Sequence, residues 1–160
     1  MDQNLPRWIT ASCADHFNNF KWSCFLHFEG TGPRPLDVNE PRERPFWAEY
    51  RLDGPYILPC TKNEEIYDIE INVLLCSVVE DTNAYRIQEL MGVFSQAFTN
   101  TISVFRYGDQ PQDDQSLVGC LQLKSNNGER ITISNFSQIA PNTLLKQASI
   151  EGHYRMHLRI

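Results

Sequence analysis

No part of the 160-residue sequence is apolar for anything near the roughly 20 residues that a helix needs to cross a bilayer. Glycine is scarce and scattered, eight in all, and none forms the strand-to-helix cluster that cradles a phosphate. Ser12, Ser23 and Ser77 lack the flanking glycines of a nucleophile elbow. The five cysteines (Cys13, Cys24, Cys60, Cys76, Cys120) are odd in number and contain no CxxC pair. A disulfide framework or a zinc site would show an even or closely paired set, so free thiols buried in a reducing compartment are expected. Positive charge is also short. Fourteen Lys and Arg against twenty Asp and Glu give a net charge of −6, which argues against a general nucleic-acid binder.

Other absences concern chemistry. Met1-Asp2-Gln3-Asn4 is not a basic region leading into an apolar one, so no secretory signal and an intracellular site of synthesis are expected. Without a secretory route the sequon Asn135-Phe136-Ser137 carries no weight. Asp113-Asp114 and Glu64-Glu65 are adjacent carboxylates in polar surroundings, with no apolar burial to separate their acidities. His153 and His157 would share a metal from a helix. On a strand their Cα atoms stand about 13 Å apart at roughly 3.3 Å per residue, too far for one ion. No catalytic residue, cofactor or metal site is expected, and an enzyme is not the reading.

What the chain does have is pattern. From Ala148 on, Ala148, Ile150, Gly152, Tyr154, Met156, Leu158 and Ile160 alternate with Gln147, Ser149, Glu151, His153, Arg155, His157 and Arg159. Side chains on a strand point alternately to opposite faces, so this is a β-strand with one apolar and one polar, basic face. Leu5-Pro6-Arg7-Trp8 opens a helix, and Trp8, Ile9, Ser12, Cys13, His16, Phe17 and Phe20 mark its buried side. His16 and His27, beside aromatic residues, read as core-edge histidines. Trp22 to Phe28 reads as a short strand.

Residues 29–45 hold four prolines, two glycines and seven charged side chains among seventeen, a long loop or arm. Its run Glu40-Pro41-Arg42-Glu43-Arg44 fits either a solvated tether or an arm that orders against a neighbouring molecule. Phe46 to Leu52 reads as a strand, with Asp53-Gly54-Pro55-Tyr56 as the turn that ends it. In the strand Ile66 to Val79, Tyr67, Ile69, Ile71, Val73 and Leu75 share a face. The opposite face changes from Asp68, Glu70 and Asn72 to Leu74 and Cys76, suggesting an edge-like start and a covered end.

Asp81-Thr82-Asn83 offers N-caps for a helix over about 84–100, whose Ile87, Leu90, Met91, Phe94, Ala97 and Phe98 form an amphipathic stripe. Strands follow over 101–107 and 116–124. Asn126-Asn127-Gly128 then predicts a hairpin that turns Arg130 to Ile133 back onto the preceding strand. Together these elements predict one α+β domain over residues 1–160, a mostly antiparallel sheet with an N-terminal helix and one long helix packed on it. Charge is unevenly spread: residues 66–115 hold eight acids and two bases, residues 116–160 two acids and five bases. Such a dipole is either an accident of a solvated surface or an orienting device between copies.

The order of elements, with the stretches Glu49-Tyr50-Arg51-Leu52-Asp53-Gly54-Pro55-Tyr56, Glu70-Ile71-Asn72-Val73-Leu74 and Ile150-Glu151-Gly152-His153-Tyr154-Arg155-Met156, resembles the tail terminator (tail-completion) proteins of tailed bacteriophages. The resemblance extends over most of the chain in layout rather than in a sharp motif. It implies a structural virion protein, made in the host cytoplasm, whose homohexameric ring caps the tail tube, stops its polymerisation and meets the head-side connector. DNA would only pass through the lumen, and no membrane, catalysis or cofactor is implied. The 29–45 arm is longer than the simplest terminators need. A ring joins two different patches of each subunit. Arg42, Glu43 and Arg44 of the arm, Asp113 and Asp114 of the acidic half, and His153, Arg155, His157 and Arg159 of the final strand are the expected contact residues. Replacing Arg155 and Arg159 by Glu is expected to weaken assembly and leave the fold intact. The rival readings are another small neck, connector or minor tail protein and, further off, an acidic cytoplasmic binding module or small enzyme.

Overall fold

The computed structural model describes residues 3–20, 25–28, 46–58, 63–78, 84–108, 115–125, 129–136 and 145–159. The elements are α1 (Leu5–Asn18), β1 (Phe25–Phe28), β2 (Phe46–Leu58), β3 (Glu64–Val78), α2 (Ala84–Ala97), β4 (Thr101–Phe105), β5 (Leu117–Leu123), β6 (Thr132–Phe136) and β7 (Leu145–Arg159). The strands form one seven-stranded sheet in the order β1-β2-β3-β7-β5-β4, with β6 also on β7. Every pairing is antiparallel except that of β1 with β2. Parallel neighbours need a connection of about a dozen residues or more, and residues 29–45, outside the described residues, make this one. This is an α+β fold with a mostly antiparallel sheet. Among the described residues no helix is long and apolar enough to cross a membrane.

The centre of the sheet is the β3–β7 ladder, which runs from Glu64 opposite Arg159 to Val78 opposite Leu145 without a register shift. The alternation of both strands is obeyed. Tyr67, Ile69, Ile71, Val73 and Leu75 of β3 and Ala148, Ile150, Tyr154 and Met156 of β7 are buried. Fully burying one such Leu, Ile or Val side chain contributes about 1.5–3 kcal/mol, so two strands patterned alike over their length make a strong spine. The edge-like start expected for β3 is not found. Ile66 already has Leu58 of β2 on one side and His157 of β7 on the other. Its polar residues face outward from the middle of a sheet.

Both helices lie over the apolar face. Leu5, Trp8, Ile9, Cys13 and Phe17 of α1 are buried, as are Leu90, Phe94 and Ala97 of α2, and Phe98 just beyond it. Phe17 links the layers, stacked on Tyr50 of β2 at 5.9 Å between ring centroids and edge-on to Phe98 at 5.4 Å. Phe98 in turn sits over Gly152, where an added Cβ would lie 2.6 Å from its Cδ1. The hydroxyl of Tyr154 donates to the Thr99 carbonyl at 2.9 Å, pinning the connection from α2 to β4. His16 is half-buried, its Nε2 donating to the Ala97 carbonyl at 2.8 Å, the core-edge role expected of it. His27 has no described side chain. A thiol gains nothing from ionising in such a core: burial pushes Cys13 and Cys76 up to about 12. Cys120 is exposed, against the expectation of burial, while Cys24 and Cys60 lie outside the described residues.

Two local expectations are corrected. Asp53-Gly54-Pro55-Tyr56 does not end a strand. β2 continues to Leu58 through a bulge, with Asp53 opposite Glu70 and Tyr56 opposite Asp68. Gly54 takes φ +112° at a cis peptide to Pro55, and a Cβ there would meet the Asp68 carbonyl at 2.9 Å. Glycine with positive φ serves a bulge as readily as a turn. The second correction concerns the strand after the Asn126-Asn127-Gly128 turn, itself outside the described residues. It does not fold back on β5. β5 meets β7 at Gln122–Arg155 and Leu123–Tyr154, and β6 meets the same edge from Thr132–Glu151 to Phe136–Gln147. β5 and β6 thus run in one direction as two halves of a single partner to β7, and β6 extends through Phe136, where a loop was expected.

The N-caps proposed for α2 at 81–83 lie outside the described residues, and α2 ends at Ala97 rather than near Asn100. The free edge of β4 is covered by α1. The Phe105 N–H donates to the buried Ser12 hydroxyl at 2.9 Å, and Trp8 Nε1 donates to the Tyr107 carbonyl at 2.8 Å.

Two glycines test this packing in opposite directions. Gly152→Ala should lower the unfolding free energy by about 1–3 kcal/mol, because its methyl competes with the Phe98 ring. Gly92→Ala, exposed in α2 with nothing within 4 Å of a new Cβ, should raise it by roughly 0.5–1 kcal/mol. Urea unfolding of the two variants beside the parent measures both.

Candidate functional site

With both helices on one side, the opposite face of the sheet carries the polar halves of β2, β3 and β7. The register decides which groups meet there. Arg155 stands opposite Asp68, His153 opposite Glu70, Glu151 opposite Asn72, and Arg159 opposite Glu64. Two acids of the acidic half, Asp68 and Glu70, are therefore neighbours of the basic final strand within one molecule.

Asp68 is the centre of this arrangement. Arg155 grips it with two hydrogen bonds, Nε to Oδ1 at 2.6 Å and Nη2 to Oδ2 at 2.8 Å, and Lys124 approaches Oδ2 at 3.4 Å. The two-point contact of a guanidinium with a carboxylate is the strong form of ion pair. Both partners are largely shielded, with side chains 29% and 24% exposed. The hydrogen bonds from Arg155 hold the Asp68 carboxyl below the usual carboxylate range. Burial works against this, and the positive charge of Lys124 adds to the lowering. On β2, Arg51 and Asp53 form their own pair at 2.9 Å.

His153 occupies the next rung. Its Nε2 lies 2.8 Å from Glu151 Oε1 on the same strand, and its Nδ1 lies 3.8 Å from Glu70 Oε2 across the ladder. Glu70, Glu151 and His153 each offer one ligand atom within 4.8 Å of the others, the one such trio among the described residues. Toward the end of β7 the packing opens. His157 is exposed, and the Arg159 side chain is 91% exposed, with Glu64 at a loose 3.9 Å.

The chain matches no known protein-family model and no curated protein.

Of the expected contact residues, Arg42, Glu43, Arg44, Asp113 and Asp114 lie outside the described residues. The remaining four stand in a line on the helix-free face, but in two conditions. His153 and Arg155 are engaged within the molecule, whereas His157 and Arg159 face outward. Both histidines lie on one extended strand, as the argument against a shared ion requires. Sequence reasoning missed Asp68, Lys124 and Glu70. Each was visible as a polar residue, but nothing local says that residues 87 positions apart, Asp68 and Arg155, will touch.

A groove of about 460 Å³ lies between α1 and β4, lined in part by Ser12, Asp15, His16 and Tyr107. The three residue types of a hydrolytic triad meet there, yet each is committed elsewhere. Ser12 accepts from the Phe105 N–H, His16 donates to the Ala97 carbonyl, and Asp15 accepts from the Tyr107 hydroxyl at 2.9 Å. A nucleophile needs its base within hydrogen-bond reach, and here the candidates are tied to the scaffold instead.

The revised role of Arg155 changes the expected outcome of its replacement. Arg155→Glu sets a third carboxylate beside Asp68 and Glu70 and should destabilise the fold rather than spare it. For Asp68 the sign follows from its lowered folded value. Its contribution is complete above the ordinary aspartate range, about pH 4, and is lost as pH falls through the lower folded value. Asp68→Asn should cost about 1–3 kcal/mol at neutral pH, and its deficit against the parent should shrink below about pH 4. Unfolding free energies measured from pH 7 to 2.5 check this; coincident curves would show that the pair contributes nothing, and a deficit constant with pH would show that it does not arise from the Asp68 charge.

Proposed function

We propose that this protein is a structural subunit of a phage tail: a tail terminator that assembles as a homohexameric ring, caps the tail tube and joins it to the head-side connector. The α+β layout is the one the resemblance implies. The observation that carries the reading is the division of labour across the sheet. One face is buried under both helices, and on the other, among the described residues, a line of polar groups along β7 ends in the outward His157 and Arg159. In the groove Ser12 and His16 hold backbone groups and Asp15 holds the Tyr107 hydroxyl, which suits a protein acting through shape and charge.

A ring needs a head-to-tail contact between two unlike patches. The outward end of β7 supplies a basic one. Exposed charge of this kind sets the orientation and rate of association more than its strength. In this reading Arg155 is part of the scaffold that holds the strand straight, and Arg159 is the group that reaches a neighbour.

Light scattering over a rising concentration series, with and without isolated tail tubes, tests the proposal. A hexamer, or capture onto tubes, is the expected result, and Arg159→Glu should weaken either one with an unchanged unfolding midpoint. A strict monomer at high concentration that also ignores tail tubes would sink it.

A further inference from the structure

The helix-free face carries more carboxylate than its arginines and lysines match. Asp68 has both Arg155 and Lys124, Asp53 has Arg51, and Glu64 has Arg159. Among the described residues Glu70 and Glu151 form no ion pair with an arginine or lysine, and each pairs with His153. Arg155 and Lys124, on the same face, both point at Asp68. The result is a local excess of negative charge around a single imidazole, in the middle of the sheet rather than at a frayed end.

The backbone register puts the three groups together. Glu70 is directly opposite His153 in the β3–β7 ladder, and Glu151 lies two residues before it on the same face. All three side chains are half-buried, between 33% and 40% exposed, open on the solvent side only. Their ligand atoms lie within 4.8 Å of one another. Around an ion with bonds of about 2.0–2.2 Å, neighbouring ligand atoms stand on the order of 3 Å apart. Small rotations of side chains already anchored on two paired strands would reach that spacing.

We propose that Glu70, Glu151 and His153 form a binding site for a divalent transition-metal cation such as Zn²⁺. One imidazole nitrogen and two carboxylate oxygens suit a borderline cation better than a hard one, which prefers oxygen alone. Three protein ligands leave the solvent side for water. Two positive charges would balance Glu70 and Glu151 and clip β3 to β7 across the ladder. This site is separate from the HxxxH pairing of His153 with His157, which the strand geometry forbids, and it does not depend on ring assembly.

The test uses Zn²⁺ alone, titrated calorimetrically into the full chain after treatment with chelator. The expected result is one equivalent bound, with a raised melting temperature because the ligand binds the folded state. His153→Ala, Glu70→Gln and Glu151→Gln should each weaken binding by at least about tenfold, and His157→Ala should not. Circular dichroism separates loss of the site from loss of the fold. Mn²⁺ added to labelled parent protein gives an independent map: amide signals at Glu70, Glu151 and His153 should broaden first. No Zn²⁺ bound by the folded parent, binding unchanged in His153→Ala, or broadening centred elsewhere would overturn the proposal.

Discussion

The rest of the molecule depends on the antiparallel ladder between β3 and β7. It pairs fifteen-residue strands end to end. The other strands build outward from it, β2 along the outer side of β3 with β1 beyond, and β5 and β6 sharing the far side of β7 with β4 beyond β5; α2 packs across its apolar face and α1 against the flanking β2 and β4. Because side chains alternate with period two, slipping this register by one residue would expose Tyr67, Ile69, Tyr154 and Met156 together and bury Asp68 with Arg155. Few single errors could cost a sheet more. That asymmetry is what makes the register specific.

The same ladder has an electrostatic consequence. A chain with an acidic middle and a basic end invites the idea that the two ends meet between molecules. Here they meet first within one molecule, as Asp68 with Arg155 and Glu70 with His153. What remains for a partner is the end of β7 beyond those rungs, where the side chains run out into solvent. Exposed ion pairs such as Arg159 with Glu64 contribute little to stability, so Arg159 can be given to a neighbour at small cost to the fold. The two-point contact at Asp68 cannot.

Much of this was legible in the sequence, and the reason is periodicity. The stripe Trp8, Ile9, Ser12, Cys13 and Phe17 announces α1, and the alternation through β3 and β7 assigns their inner faces residue by residue. What was not legible is pairing. Asn-Asn-Gly looks like a hairpin because local turn chemistry knows nothing of the open edge of β7 that claims β6 instead. Asp-Gly-Pro-Tyr looks like a turn because a bulge uses the same positive-φ glycine. The polar residues of β3 looked like an edge because the sequence does not show that β2 and β7 flank them. For the functional residues the gap is wider still. A basic strand face could be read, but its use could not, since Asp68 and Arg155 become neighbours only through long-range register.

The claim that β3 and β7 form the spine can be tested at single-residue resolution by native-state hydrogen exchange. Amides in the middle of these two strands, from about Ile69 to Val73 and from Ile150 to Tyr154, should exchange most slowly, at the free energy of global unfolding. Those of β4 and β6 should open earlier through local fluctuations. If α1 or the β4–β5 pair proved the most protected part while the β3–β7 amides exchanged by local opening, the ladder would not be the element on which the fold depends.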